Sequence, residues 1–120
     1  MAFQWYVVQT YTGQEAKVVQ YVQEFIDAGL ERIKKFLAGG RERGKITAEQ
    51  ESETLARLQS TTDLKDCAGS ALVIEAAPEK LELKRDIFKQ LDENCGPETL
   101  LASNTSSFNI TAIGASTKHQ

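Results

Sequence analysis

The chain has 120 residues, 41% of them hydrophobic, which sizes it for one domain able to bury a core without metal or disulfide staples. A formal charge of −3 and a pI near 5.2 give no global field for DNA, RNA or an anionic membrane, so neither nucleic acid nor membrane is expected as a partner. Two cysteines, Cys67 and Cys95, without CxxC or Cys/His spacing, and no signal peptide or bilayer-length apolar run, point to a reduced, cytoplasmic chain without metal.

Trp5 to Tyr11 is aromatic and β-branched, the composition of a strand. Thr12 with Glu15 three residues later makes a capping box and opens a helix. Val19, Val22, Ile26, Leu30, Ile33 and Leu37 then recur at an average step of 3.6 residues, which predicts one helix over 13–38, bent near Gly29 and ended by Gly39-Gly40. Gly39 to Lys45 matches the GxxxxGK of a phosphate loop, but Ile46 replaces the Ser or Thr and the run follows a helix instead of a strand. It reads as a basic turn between helices. Thr47-Ala48-Glu49-Gln50 is a second capping box, starting a helix to about Leu58 with Leu55 and Leu58 facing inward, so the two helices form a long hairpin.

Gln59 to Thr62 reads as a short strand, Leu64 to Ala68 as one helical turn, and Ala71 to Ala76 as a central strand. Pro78 and Glu79 suit the first turn of the following helix, where Leu83, Ile87 and Leu91 recur every four residues. Gly96-Pro97 breaks that helix before a strand over Thr99 to Ser103, and Asn109 caps a last helix to about Ser116. The two apolar runs, Ala71 to Ile74 and Leu100 to Ala102, read as strands buried on both faces and joined by a parallel βαβ crossover.

The words Thr61-Thr62-Asp63-Leu64, Leu72-Val73-Ile74-Glu75-Ala76, Leu81-Glu82-Leu83-Lys84 and Ala102-Ser103-Asn104-Thr105-Ser106-Ser107, with the Gly44-Lys45-Ile46-Thr47 turn upstream, make residues 30–120 resemble the NAD-binding domain of the 3-hydroxyacyl-CoA dehydrogenases. Trp5 to Val18 resembles the first strand and helix of NusG-type transcription elongation factors, a likeness that fades by about Phe25. Two resemblances sharing one helical phase lead to the expectation of an engineered chimera, a de novo protein forming a single α/β domain over 1–120 (NusG-like 1–28, dehydrogenase-like 29–120). Its expected fold is a three-layer sandwich around a four-stranded parallel sheet, Rossmann-like or flavodoxin-like with order 2-1-3-4.

The dehydrogenase resemblance implies an inventory of chemistry against which the residues can be checked. Its GxGxxG, which brings pyrophosphate against a helix N-terminus, has no counterpart in residues 1–120; Tyr11-Thr12-Gly13-Gln14 stands in that place. Its catalytic histidine lies in a later HFFNP-like strand, so His119 reads as a solvated tail residue. By matching position the resemblance implies cofactor contacts from Glu79 and Lys84 and a substrate-carbonyl site at Asn104 and Ser106. The plainer readings are first-turn dipole pairing for Glu79, a solvated helix face for Lys84 and turn hydrogen bonds for Asn104 and Ser106.

The resulting expectation is a non-enzyme with no biological activity, no cofactor and no catalytic residue. The alternative is a vestigial nucleotide or acyl-CoA binder at the strand C-terminal edge near Gly13, Ala76, Glu79 and Asn104. A further alternative is a polymerase-binding fragment using the first helix. Thr99 to Ser103 is an edge open to self-association.

Overall fold

The computed structural model describes residues 5–8 and 16–118, with residues 5–8 and 16–22 described by their backbone alone. The Thr12 capping box, Gly13 and His119 lie outside the described residues. The chain divides into two compact units, Met1–Asp63 and Leu64–Gln120.

In the first unit, β1 (Trp5–Val8) pairs in parallel with β2 (Leu58–Thr61), Trp5 opposite Leu58 and Val8 opposite Thr61. Between them run α1 (Ala16–Glu42) and α2 (Ala48–Ala56). α1 passes unbroken through Gly29, as the stripe predicts. Ile26 is buried and Leu30, Ile33 and Leu37 are half-buried. Gly39-Gly40 does not end it. Each glycine costs only about 1 kcal/mol inside a helix, too little to break a run whose backbone bonds are otherwise complete. The stop is Gly44, at φ +65. Its N–H donates to the Arg41 carbonyl (2.9 Å) and the Lys45 N–H to the Gly40 carbonyl (2.9 Å), the paired bonds of a Schellman ending that needs a left-handed residue at this point.

That geometry disposes of the phosphate-loop match, since Gly39 to Glu42 is helical. The expected capping box then starts α2: Gln50 N–H donates to Thr47 Oγ1 (3.1 Å), and Thr47 N–H donates to Gln50 Oε1 (2.9 Å). Arg41 Nε reaches Glu51 Oε2 at 2.6 Å and closes the hairpin. α2 is shorter than expected, because Arg57 is its C-cap and Leu58 already belongs to β2; Leu55 and Leu58 are half-buried.

The second unit holds a 3₁₀ turn (Leu64–Cys67), β3 (Leu72–Glu75), α3 (Leu81–Asn94), β4 (Leu100–Ser103) and α4 (Ile110–Gly114). β3 and β4 run parallel, Leu72 opposite Leu100 and Glu75 opposite Ser103, so the expected βαβ unit is present. α3 buries Lys84, Ile87, Phe88 and Leu91, spaced at i, i+3, i+4 and i+7 along one face. Ile113 of α4 is fully buried, and Arg85 Nε donates to the Ala112 carbonyl (3.0 Å), which fixes α4 against α3. Asn109 caps α4 by accepting from Thr111 N–H (2.9 Å). Cys67 and Cys95 are buried free thiols, as expected, and the Cys95 Sγ–H donates to the Cys67 carbonyl (3.6 Å).

Three expectations need correction here. α3 begins at Leu81, so Pro78 and Glu79 precede the helix; hydrogen bonds described below hold that segment as a loop. β3 and β4 are not buried on both faces. Leu72, Ile74 and Leu100 are 47%, 59% and 69% exposed, because α3 covers only the face carrying Val73 and Glu75, and a parallel strand is dry on both sides only where two layers cover it. The described strands form two two-stranded sheets, β1 with β2 and β3 with β4, and the four-stranded 2-1-3-4 sheet is not shown. A one-dimensional pattern marks where strands lie and leaves their neighbours undetermined. No described helix is long and apolar enough to cross a membrane.

Candidate functional site

Open parallel sheets bind ligands outside the carboxyl ends of their strands, and in the second unit that edge is made by the loops after Glu75 and Ser103. The edge is built around one buried carboxylate. Glu75 ends β3 on the face covered by α3, and Lys84, one turn into α3, reaches it with Nζ 2.9 Å from Oε1 and 3.2 Å from Oε2. The cross-strand partner Ser103 donates its hydroxyl to Oε2, and the Ala77 N–H donates to Oε1. Burial by itself pushes the Glu75 carboxyl up. The Ser103 hydroxyl, the Lys84 ammonium and the Ala77 amide outweigh it and hold the group below the ordinary carboxylate range. Among the described residues no buried side-chain nitrogen or oxygen lacks a hydrogen-bond partner.

The network extends to the rim. Lys84 Nζ also donates to the Ala77 carbonyl (3.0 Å) and lies 3.6 Å from Glu79 Oε1. Glu79 Oε2 accepts from Thr105 Oγ1 (2.8 Å), and Thr105 Oγ1 in turn accepts from the Ser107 and Phe108 amides, both at 3.3 Å. Asn104 N–H donates to the Glu75 carbonyl (2.7 Å), carrying the ladder one residue past β4.

Of the residues singled out in the sequence, Ala76, Glu79, Asn104 and Ser106 are exposed at this edge. Lys84 departs from the solvated reading. It is fully buried, because its helix position falls on the apolar stripe and its ammonium has a carboxylate waiting there. Glu79 does not serve the helix dipole, since it lies outside α3 and bonds Thr105 instead. Sequence reasoning missed Glu75, Ser103 and Thr105. The signal for Glu75 was present: an acid alternating with Val73 on one face of an apolar strand, nine residues before a lysine on an apolar helix face. A groove of about 570 Å³ beside β4, lined mainly by Phe88, Pro97, Leu100, Leu101 and Ile110, carries no carboxylate or amide side chain to orient a polar ligand. No cluster of metal-ligating side chains occurs among the described residues.

With this geometry in place, comparison with known proteins is informative. A family model described as 3-hydroxyacyl-CoA dehydrogenase, NAD binding domain, matches residues 1–120. The chain is 43% identical over 107 residues to 3-hydroxyadipyl-CoA dehydrogenase of Escherichia coli K12, covering 89% of this chain and 22% of that protein. It is 44% identical over 106 residues to a probable 3-hydroxybutyryl-CoA dehydrogenase of Deinococcus radiodurans, covering 88% and 38%. A crystal structure of 3-hydroxybutyryl-CoA dehydrogenase from Escherichia coli K12 superimposes with a TM-score of 0.74 at 34% identity, covering 99% of this chain and 28% of that one. The chain thus spans well under half the length of these relatives.

These matches overturn two expectations. An inert chimera would match the family only beyond its junction, whereas the model runs through the NusG-like stretch to residue 1. The non-enzyme reading falls as well, because the relatives are named dehydrogenases, which are oxidoreductases. The chimera came from weighing the NusG-like likeness of Trp5 to Val18 as a second family, and the non-enzyme reading from taking the missing glycine motif for missing activity.

Proposed function

This chain belongs to the family of NAD-binding domains of the 3-hydroxyacyl-CoA dehydrogenases, and from that premise we propose that it serves as the nicotinamide-side portion of such a domain, acting on 3-hydroxyacyl thioesters as part of a dehydrogenase. The observation that carries the reading is the Glu75-centred edge, where two adjacent parallel strands end in loops pinned to one another and leave Ala76, Glu79, Asn104 and Ser106 exposed.

The pairing of the strands supports it. In a doubly wound sheet of order 3-2-1-4-5-6 the second and third strands are neighbours, as are the fourth and fifth. β1–β2 and β3–β4 fit those two pairs, which reads Trp5–Val8 as a second strand instead of a first. The glycine-rich turn belongs to the first strand in that order, and no GxGxxG occurs in residues 1–120.

NAD therefore fits these residues at one end only. The half-exposed Glu79 carboxylate is suited to accept from sugar hydroxyls, and Asn104 and Ser106 offer an amide and a hydroxyl for a substrate carbonyl. The glycine pattern that would shape a backbone cradle for the pyrophosphate does not occur in the sequence. When bound, NAD supplies the nicotinamide that accepts hydride; what these side chains do is bind, orient and exclude water.

The test is a titration of the ¹⁵N-labelled chain with nicotinamide mononucleotide and, separately, with AMP. The expected result is weak binding, with a Kd of about 1 mM or about −4 kcal/mol, and shifts confined to the Ala76, Ala77, Glu79 and Asn104–Ser106 amides with the first ligand and absent with the second. No shift with nicotinamide mononucleotide at these amides sinks the reading.

A further inference from the structure

The two cysteines of the chain meet inside one unit. Cys67 closes the 3₁₀ turn and Cys95 is the C-cap of α3, and they are buried, 4% and 8% exposed. Cys95 Sγ–H donates to the Cys67 carbonyl (3.6 Å), and the segments that follow each cysteine stay in step. Thr99 Oγ1 donates to the Ser70 carbonyl (2.8 Å), and the Leu100 N–H donates to the Ala71 carbonyl (3.0 Å). Chain segments tied by direct hydrogen bonds run about 5 Å apart, inside the Cα separation of about 4.4–6.8 Å that a disulfide spans. We propose that Cys67 and Cys95 are a modification site: a reversible internal disulfide, formed with a small-molecule disulfide as oxidant, that ties the 3₁₀ turn to the end of α3.

The proposal is independent of the cofactor reading. Burial keeps both thiols protonated, and Cys95 adds to the effect at Cys67, as a second sulfur close by does. Exchange therefore starts when the unit opens and one thiol ionises. That thiolate attacks a sulfur of the reagent, whose S–S bond breaks and whose other half leaves. The second protein thiolate then attacks the protein sulfur of the mixed disulfide and expels the remaining half. Two electrons pass from the cysteine pair to the reagent, and the two protons given up by Cys67 and Cys95 end on the two thiols released. Burial decides where the sequence stops. A mixed disulfide carries the reagent's bulk on a sulfur with no room for it, whereas the internal bond only removes two hydrogens and lets the core close. The ring it closes contains β3, α3 and the loop between them, so oxidation constrains the opened chain and stabilises this stretch.

The experiment incubates the unaltered chain with graded mixtures of reduced and oxidised glutathione, for as long as iodoacetamide needs to alkylate both thiols. The reaction is quenched in acid and read by intact mass and peptide mapping. The expected product is a single chain lighter by two hydrogens, with the Cys67 and Cys95 peptides linked, and dithiothreitol returns it to the dithiol. Amide hydrogen exchange by NMR should show the native spectrum retained and the Leu91 amide, inside the ring, slowed about a hundredfold, the factor expected of a disulfide closing a loop of this length. Cys95→Ala should stop at a glutathione adduct on Cys67; if that variant fails to fold, the unaltered chain decides alone. Glutathione adducts that persist on the unaltered chain, links between two copies, or thiols still free in the most oxidising mixture overturn the proposal. So does an internal bond that abolishes the native spectrum or leaves Leu91 exchange unchanged.

Discussion

Glu75 and Lys84 show how far one residue's environment can depart from its type. Both are charged, both are buried, and each is satisfied by the other and by the Ala77 peptide. Lys84→Met alone should destabilise the chain by about 3–5 kcal/mol, because it leaves the carboxylate buried without its cation. Glu75→Gln, Lys84→Met should cost clearly less, and urea unfolding curves of the two variants give the comparison. Acid provides a second check. The folded Glu75 carboxyl lies below its ordinary value of 4.5, so its contribution is fully present above that pH and is lost as pH falls through the lower folded value. The groups facing it are Lys84 from α3, the Ser103 hydroxyl from β4 and Glu79 from the loop. The urea midpoint should hold from neutrality to about pH 5 and fall below it, and fall less steeply in the double variant. None of this was legible one residue at a time, since a lysine on a helix is usually solvated. It takes the strand's alternation and the helix's period, read together, to place both charges on facing surfaces.

At the scale of elements, stops and starts carry the local code. Gly29 has nothing within 4 Å of where a Cβ would stand, so Gly29→Ala should stabilise α1 by about 0.5–1 kcal/mol. Gly44 also has open space around it, yet Gly44→Ala should destabilise by about 1–2 kcal/mol because its left-handed backbone and not its surroundings sets the cost. Thermal melts of the two variants should therefore move in opposite directions. Helices were the legible part of the sequence: the period from Ile26 to Leu37, the Thr47 box and the Asn109 cap act within a few residues, and each falls where its pattern puts it. Strand order was illegible, because a four-residue strand such as Trp5–Val8 carries a propensity but no address. The start of α3 was misread for a related reason. Pro78 favours a first helical turn locally, but the bonds of the Ala77 N–H to Glu75 and of Lys84 to the Ala77 carbonyl hold the chain in a loop that runs three residues further, to Lys80.

For the whole molecule, apolar side chains are exposed on α1, at Phe25 and Phe36, and along β3 and β4. β4 pairs with β3 on one side, Leu100 is 69% exposed, and unpaired edges with apolar side chains recruit other strands. We expect concentration-dependent self-association, measured by light scattering across a dilution series, and expect Leu100→Lys to reduce it. A series showing one mass at all concentrations would remove the edge as the cause of any association. The family was legible from Leu72–Ala76 and Ala102–Ser107, while the missing glycine turn led to the expectation of no cofactor and no activity.

The buried thiols of the second unit have a practical use. Burial pushes the Cys95 thiol up and does the same to Cys67, with Cys95 and Asp66 adding to it, so neither is a ready nucleophile while the unit is closed. A disulfide reagent can reach them only when the packing of the 3₁₀ turn against the end of α3 comes apart. The labelling rate under native conditions is then the rate for a free thiol multiplied by the open fraction, and it reports the opening free energy of that unit without denaturant. Two cysteines 28 positions apart become a clock wound into the fold, ticking only when the core around them breathes.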